Sequence, residues 1–304
     1  MIDDTVKGLA FGAAGAISYG MNPLFALPLY AEGLTPDSVL FYRYLGGIAF
    51  LAVLMHARRV SFGITRRDAA LLVFMGVLMA SSSLFLFLSY NFMAAGIAST
   101  LLFVYPLMVA LIMAFRFREK FSAITAASIA LTLAGTALLY KGEDGAALSL
   151  AGIGLVMLSA LFYAIYIVCV NKTSLSATPA LKLTFYATLF GSLLFVFRLD
   201  FLADLQMLPS WRAFACALLL GIFPTGVSFA CVARSISLIG STPAAILGAL
   251  EPVTAVIFGV LVFGEALTPR LSAGIALIIF AVLLVVAGKR LPALLRLARG
   301  GKNA

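Results

Sequence analysis

The chain has 304 residues, of which 63% are hydrophobic and only 11% charged, and its formal net charge is +9. Soluble domains carry roughly 25% charged residues, so this chain lacks the polar material to cover a water-exposed surface, and little length is left outside its apolar runs for a separate soluble domain. Nucleic-acid binding is excluded too, because the basic residues sit in short loops between apolar segments and form no continuous aromatic-rich basic face.

Crossing a bilayer as a helix takes roughly 20 apolar residues, and helices are required because an open sheet edge in hydrocarbon leaves backbone groups unpaired. In chain order, the apolar runs predict spans at 8–28, 36–56, 69–89, 93–115 and 122–140, then at 149–170, 179–197, 213–233, 243–263 and 270–288. Asp3 and Asp4 precede the only early cation, Lys7, and no small-residue cleavage site follows. The first run is therefore expected to be span 1 and not a cleaved leader. Span 7 is the least distinct, since Lys182 and Arg198 crowd its ends. With the N-terminus in the cytoplasm, only Lys141, Arg198, Arg212 and Arg270 fall outside, and Arg43 lies within span 2. Every other Lys and Arg falls inside, including the Arg58–Arg67 loop and the C-terminal tail. The positive-inside rule thus expects both termini in the cytoplasm, and an even span number agrees. The expected location is a bacterial cytoplasmic (inner) membrane. Cys169, Cys216 and Cys231 all lie inside apolar runs without metal-type spacing and read as small packing residues.

An internal repeat organises the chain. Gly8, Ala16 and Tyr19 match Gly152, Ala160 and Tyr163 at an offset of 144, and Phe41-Tyr42, Leu45 and Gly47 match Phe185-Tyr186, Leu189 and Gly191 at the same offset. Gly76 and Ser83 match Gly221 and Ser228 at 145. Pro106, Phe117 and Glu119 match Pro252, Phe263 and Glu265 at 146, and Ala127-Ser-Ile-Ala-Leu131 then matches Ala273-Gly-Ile-Ala-Leu277. An offset drifting so little along the whole chain predicts an all-α integral membrane fold of ten transmembrane helices in two five-helix units, 1–145 and 146–290, with a basic tail at 291–304. Five is odd, so the second unit must be inverted relative to the first. Inverted repeats of this kind build secondary transporters, with the site at the repeat interface near mid-membrane. A duplicated structural scaffold is the plainer alternative.

The stretch Gly240-Ser-Thr-Pro-Ala-Ala-Ile-Leu-Gly-Ala-Leu-Glu-Pro-Val253, continued by Phe258 to Leu267, closely resembles the second-half signature of EamA-type proteins in the drug/metabolite transporter superfamily. Tyr105-Pro106 and Arg118-Glu119 resemble its first-half version more loosely, and Phe41-Tyr42-Arg43 resembles the family's helix-2 pattern. The resemblance covers nearly the full chain. It implies a ten-helix exporter or exchanger with a central cavity lined from both halves, without fixing the substrate, since the superfamily includes carriers of amino acids, nucleotide sugars and many other metabolites.

Eleven of the twelve acidic residues sit at termini, in loops or at span ends; the exception is Glu251, inside span 9. A charge at that depth costs roughly 2.5–3.5 kcal/mol on insertion scales. Glu251 is either a group that couples transport to protons or a cation, or a brace beside the break at Pro252; its repeat counterpart is Tyr105. Pro106 and Pro252 each remove a donor and free a carbonyl one turn earlier; they read as helix breaks whose freed groups can face a cavity, or as fixed kinks needed for packing. Arg43, whose counterpart is Ala187, is placed either to attract an anionic substrate group or to snorkel or pair with another helix. Polar residues at helical spacing complete the candidate cavity: Ser18 and Asn22 on span 1, Ser83 on span 3, Tyr163 and Tyr166 on span 6, Thr225 and Ser228 on span 8, and Thr254 on span 9. Each of these hydroxyls also has a structural reading, as a bond to its own or a neighbouring helix.

An enzyme is the rival class, but the only histidine, His56, marks the cytoplasmic end of span 2, and there is no paired-carboxylate motif or Gly-rich phosphate loop. The expected partners are a small-molecule substrate, membrane lipid and protons or a counter-solute. No cofactor, metal or nucleic acid is implied, and ten spans can enclose a cavity without a second subunit. A lipid or isoprenoid-carrier flippase is the nearer alternative, using the same inverted frame.

Overall fold

The computed structural model describes residues 4–89, 92, 98, 101–119, 122–139, 149–263 and 268–300, and all regular structure among them is helical. Parts of the expected span 4, the 140–148 connection, Lys120, Lys141 and Glu265 lie outside the described residues. Span numbers here denote the apolar runs expected from sequence: α1 (Asp4–Gly20) and α2 (Asn22–Ala31) fall on span 1, α3 (Pro36–Ala57) on span 2, α4 (Arg66–Ser89) on span 3, α5 (Tyr105–Phe117) on the later part of span 4 and α6 (Ala123–Leu139) on span 5. In the second half, α7 (Leu150–Lys172) is span 6 and α8 (Ala180–Arg198) span 7. Span 8 combines α9 (Trp211–Leu220), a π-helical turn at Gly221–Val227 and α10 (Ser228–Ile239). Span 9 is α11 (Ser241–Leu247) and α12 (Leu250–Phe263), and α13 (Pro269–Gly300) carries span 10 and continues helical past residue 290.

Six of these segments are long and apolar enough to cross a membrane: Pro36–Ala57, Arg66–Ser89, Leu150–Lys172, Ala180–Arg198, Trp211–Ile239 and Ser241–Val262. Tyr105–Phe117, Ala123–Leu138 and Pro269–Leu284 are apolar but shorter. The expectation of an unbroken first span needs correction. The helix stops at Gly20, turns at Met21 and restarts at Asn22 with proline in its first turn, where the missing N–H of proline leaves no intrahelical bond unmade. Pro106 and Pro252 stand at helix breaks, the first of their two expected readings. The chain turns just before each, at residues 103–104 and 248–249, and both prolines stand in the first turn of the following helix. They start new helices at mid-span and do not kink continuous ones.

Helix packing follows the repeat. Span 1 packs on span 8 as span 6 packs on span 3, and span 2 lies on the π-turn of span 8 as span 7 lies on span 3; spans 2 and 7, and spans 5 and 10, pack on each other. The repeat-matched glycines explain how closely these backbones approach. A Cβ on Gly76 would stand 2.7 Å from the Ala187 carbonyl and from Gly191 N, and a Cβ on Gly221 would stand 2.7 Å from Gly46 and Gly47 backbone atoms. Small residues let helices meet where lipid offers no hydrophobic incentive for association. Hydroxyl bonds fasten the same seams: Ser235 donates to the Gly8 carbonyl at 2.8 Å, and Ser159 to the Ser82 carbonyl at 2.6 Å. Gly76→Val and Gly221→Val are each expected to lower stability by about 3 kcal/mol or more, because the obstructing atoms are backbone. Gly154→Val, where an added Cβ meets nothing within 4 Å, should change little. Thermal unfolding of the purified chain in detergent reads all three.

Both ends of the helix bundle are tied. At one, Arg198 holds Asp37 through two bonds of 2.8 and 3.1 Å, and Gln206 bonds Gly33, Ser38 and Tyr42. At the other, Lys182 and Tyr186 donate to the carbonyls of Gly63 and Phe62, and Lys172 pairs with Glu119 at 3.0 Å.

Candidate functional site

Half-way along span 9, the break between α11 and α12 places Glu251 in the first turn of α12, its amide bonded to the Gly248 carbonyl at 2.9 Å. A helix N-terminus favours negative charge, whereas burial disfavours it, and Glu251 is only 8% exposed. Its side chain lines an internal cavity with Tyr19, Ser82, Ser83, Tyr105 and Tyr163 among its walls, the remainder being Met79, Leu86, Leu102 and Phe229. The free space is about 20 Å³ measured at the centre of a water-sized sphere, which is room for about one water. No metabolite fits without movement of the walls.

Tyr105 from span 4 packs into the break in span 9. The phenol donates to the Ala245 carbonyl at 3.2 Å, and a Cβ on Gly248 would fall 1.8 Å from that hydroxyl. Gly248 is therefore the only residue type that lets the ring reach the turn. Tyr105 also meets Tyr163 edge-on, with centroids 4.9 Å apart. Ser83 donates to the Met79 carbonyl at 3.2 Å and lies 3.5 Å from the Tyr44 hydroxyl, so its hydroxyl is partly committed to its own helix.

Arg43 is 1% exposed and does not reach an interface. Its Nε donates to Thr225 Oγ1 at 2.8 Å, and its guanidinium lies 5.2 Å from the Tyr19 ring centroid and 5.8 Å from that of Phe229. Thr225 lies in the π-helical turn, a local widening that is common at functional sites.

Of the residues singled out from sequence, Glu251, Tyr105, Ser83 and Tyr163 line the cavity, and Arg43, bonded to Thr225, lies against the cavity-lining rings of Tyr19 and Phe229. The others are not among its lining residues. Tyr166 is buried and stacks on Tyr163 at 6.3 Å, Ser228 is buried in the span 1–span 8 seam, and Thr254 bonds the Leu250 carbonyl at 2.8 Å. Ser18 and Asn22 are half-buried at the break in span 1. Sequence reasoning missed Tyr19, Ser82 and Phe229. Tyr19 carried a usable signal, its repeat match to Tyr163; Phe229 carried none.

Apolar helices of membrane-crossing length pack around a buried aromatic cavity with one carboxyl group and one cation in its neighbourhood, the make-up of a helical integral membrane protein. The sequence profile of the EamA-like transporter family matches residues 6–141 and again residues 150–287, and the chain belongs to that family. A Synechocystis sp. protein named as an uncharacterized transporter is 31% identical over 216 residues, covering 69% of this chain and 64% of that protein, so the match spans just under two thirds of the relative's length. A solved crystal structure with 18% identity superposes with a TM-score of 0.80 over 91% of this chain and 96% of its own, which shows a shared fold.

Proposed function

We propose that the chain carries a small metabolite, such as an amino acid or related solute, across a bacterial cytoplasmic membrane by alternating access, as an exporter or exchanger. Two inverted five-helix units with both termini in the cytoplasm form the frame, and ten spans make it complete without a partner subunit. The observation that carries this reading is the cavity, whose walls come from both halves: Tyr19, Ser83 and Tyr105 from the first, Tyr163, Phe229 and Glu251 from the second. Repeat-related packing of the helices and the double match to the family profile support it. Two halves of the same design can exchange conformations, so inward-open and outward-open states have similar energy. The tied ends and the one-water cavity correspond to a closed state between them. Glu251 is the coupling group of this reading, taking up and releasing a proton or yielding its place to the solute. Transport itself is tested by exchange of labelled solute in proteoliposomes.

The frame makes a separate prediction about sidedness. In a chain stripped of its native cysteines, Phe62→Cys should react with an impermeant thiol reagent only after spheroplasts are permeabilised, and Met207→Cys should react in intact ones. Both positions are exposed, at 41% and 82%. Labelling of residue 62 from outside contradicts the orientation.

A further inference from the structure

Arg43 has more hydrogen-bonding capacity than the fold uses. Only Nε is engaged, by Thr225 at 2.8 Å; Nη1 and Nη2 are buried without a hydrogen-bond partner, and no ion pair of Arg43 occurs among the described residues. Burying an arginine inside a membrane with its fork unfilled is costly. The scaffold does not require it, since the repeat counterparts of Arg43 and Thr225 are Ala187 and Ala80, both buried at the equivalent seam. With Nε held, the free edge of the guanidinium presents Nη1 and Nη2 side by side, the pair that grips a carboxylate through two parallel bonds. The rings on which this cation lies, Tyr19 and Phe229, are stacked with centroids 6.1 Å apart, and both line the cavity.

We propose that Nη1 and Nη2 of Arg43 bind a carboxylate of the transported solute, which reaches them between Tyr19 and Phe229. The proposal rests on the reading of this cavity as the solute site. It adds that the solute is a small carboxylate whose apolar body lies against Met79, Leu86 and Leu102, and that Arg43 sets the preference for the charged group. Thr225 positions the fork. Glu251, on the cavity wall, excludes dianions by repulsion when ionised.

The test compares phenylacetate with phenylacetamide, equal in size and ring but not in charge, as stabilisers of the purified full-length chain against thermal unfolding at constant pH and ionic strength. Half-maximal stabilisation by phenylacetate is expected at a concentration on the order of tenfold or more below that of phenylacetamide. Arg43→Gln should remove the difference, and Arg43→Lys, which keeps a charge but not the fork, should narrow it. Equal action of the two compounds on the wild-type chain, no action by either, or a preference that survives in Arg43→Gln overturns the assignment. Where Arg43→Gln does not fold, Arg43→Lys carries the comparison, and an undiminished preference there overturns the assignment. A chain that shows the carboxylate preference but exchanges no solute in proteoliposomes sinks the transport reading and leaves the carboxylate site standing.

Discussion

Glu251→Gln is expected to abolish solute movement driven by a pH gradient while leaving exchange of solute for solute within about twofold of the wild type. The side chain is 8% exposed, lines the cavity, and begins a helix at mid-span. A carboxyl group there is under opposed influences: burial disfavours charge, and a helix N-terminus favours it. A coupling group needs both forms accessible, one in each half of the cycle. Glutamine keeps the shape and the hydrogen-bonding oxygen but has only one protonation state, so net movement of a proton stops. Exchange needs no net protonation change and continues. If Glu251 only braces the start of α12, the same substitution leaves both activities near normal and shifts thermal stability alone. Gradient-driven transport by Glu251→Gln at the wild-type rate and pH profile removes the coupling role.

Gly248→Ala should reduce exchange by more than about tenfold, and Tyr105→Phe placed in the same chain should recover part of the loss. The added methyl would lie 1.8 Å from the Tyr105 hydroxyl but 3.1 Å from its Cζ. Removing the oxygen therefore converts an impossible contact into a tight one. A Tyr105 ring pushed aside also loses its bond to the Ala245 carbonyl and its edge contact with Tyr163, which opens a gap at the break in span 9. The interaction between the two sites is measured by a double-mutant cycle on exchange rate and thermal stability. Strictly additive losses contradict the contact.

Much of the frame was legible because membrane helices must satisfy all their backbone groups internally, so long apolar runs have few alternatives. The repeat was legible through residues whose reason is now physical. Gly47, Gly76, Gly191 and Gly221 matched in sequence, and in the fold Gly76 touches Gly191 as Gly221 touches Gly47. Glu251 and Arg43 stood out because a charge inside an apolar run is costly, and both depart from the repeat, facing Tyr105 and Ala187 as counterparts. The remaining site residues were harder to read. Helical spacing puts Thr225, Ser228 and Thr254 on polar faces but does not say which neighbour each face meets. Lipid and a packed helix are equally apolar, so hydrophobic periodicity carries little information inside a membrane. Thr254 accordingly sits against Gly20 in the span 1–span 9 seam, whereas Thr225 meets Arg43. The turn at Met21 and the π-helical turn at Gly221–Val227 depend on tertiary fit. Pro224 within that turn could mark an irregularity but not its type.

The central claim is that this cavity carries a small solute, and counterflow in proteoliposomes tests it without assuming an energy source. Vesicles containing the purified chain are loaded with an unlabelled metabolite and diluted into the same compound in labelled form, across a panel of amino acids and other small carboxylates and their uncharged analogues. The account predicts transient accumulation of label above equilibrium for at least one small carboxylate, absent from empty vesicles and much reduced by Gly248→Ala. No accumulation across the panel, together with protein-dependent movement of labelled lipid between leaflets, contradicts the account and makes the chain a lipid flippase.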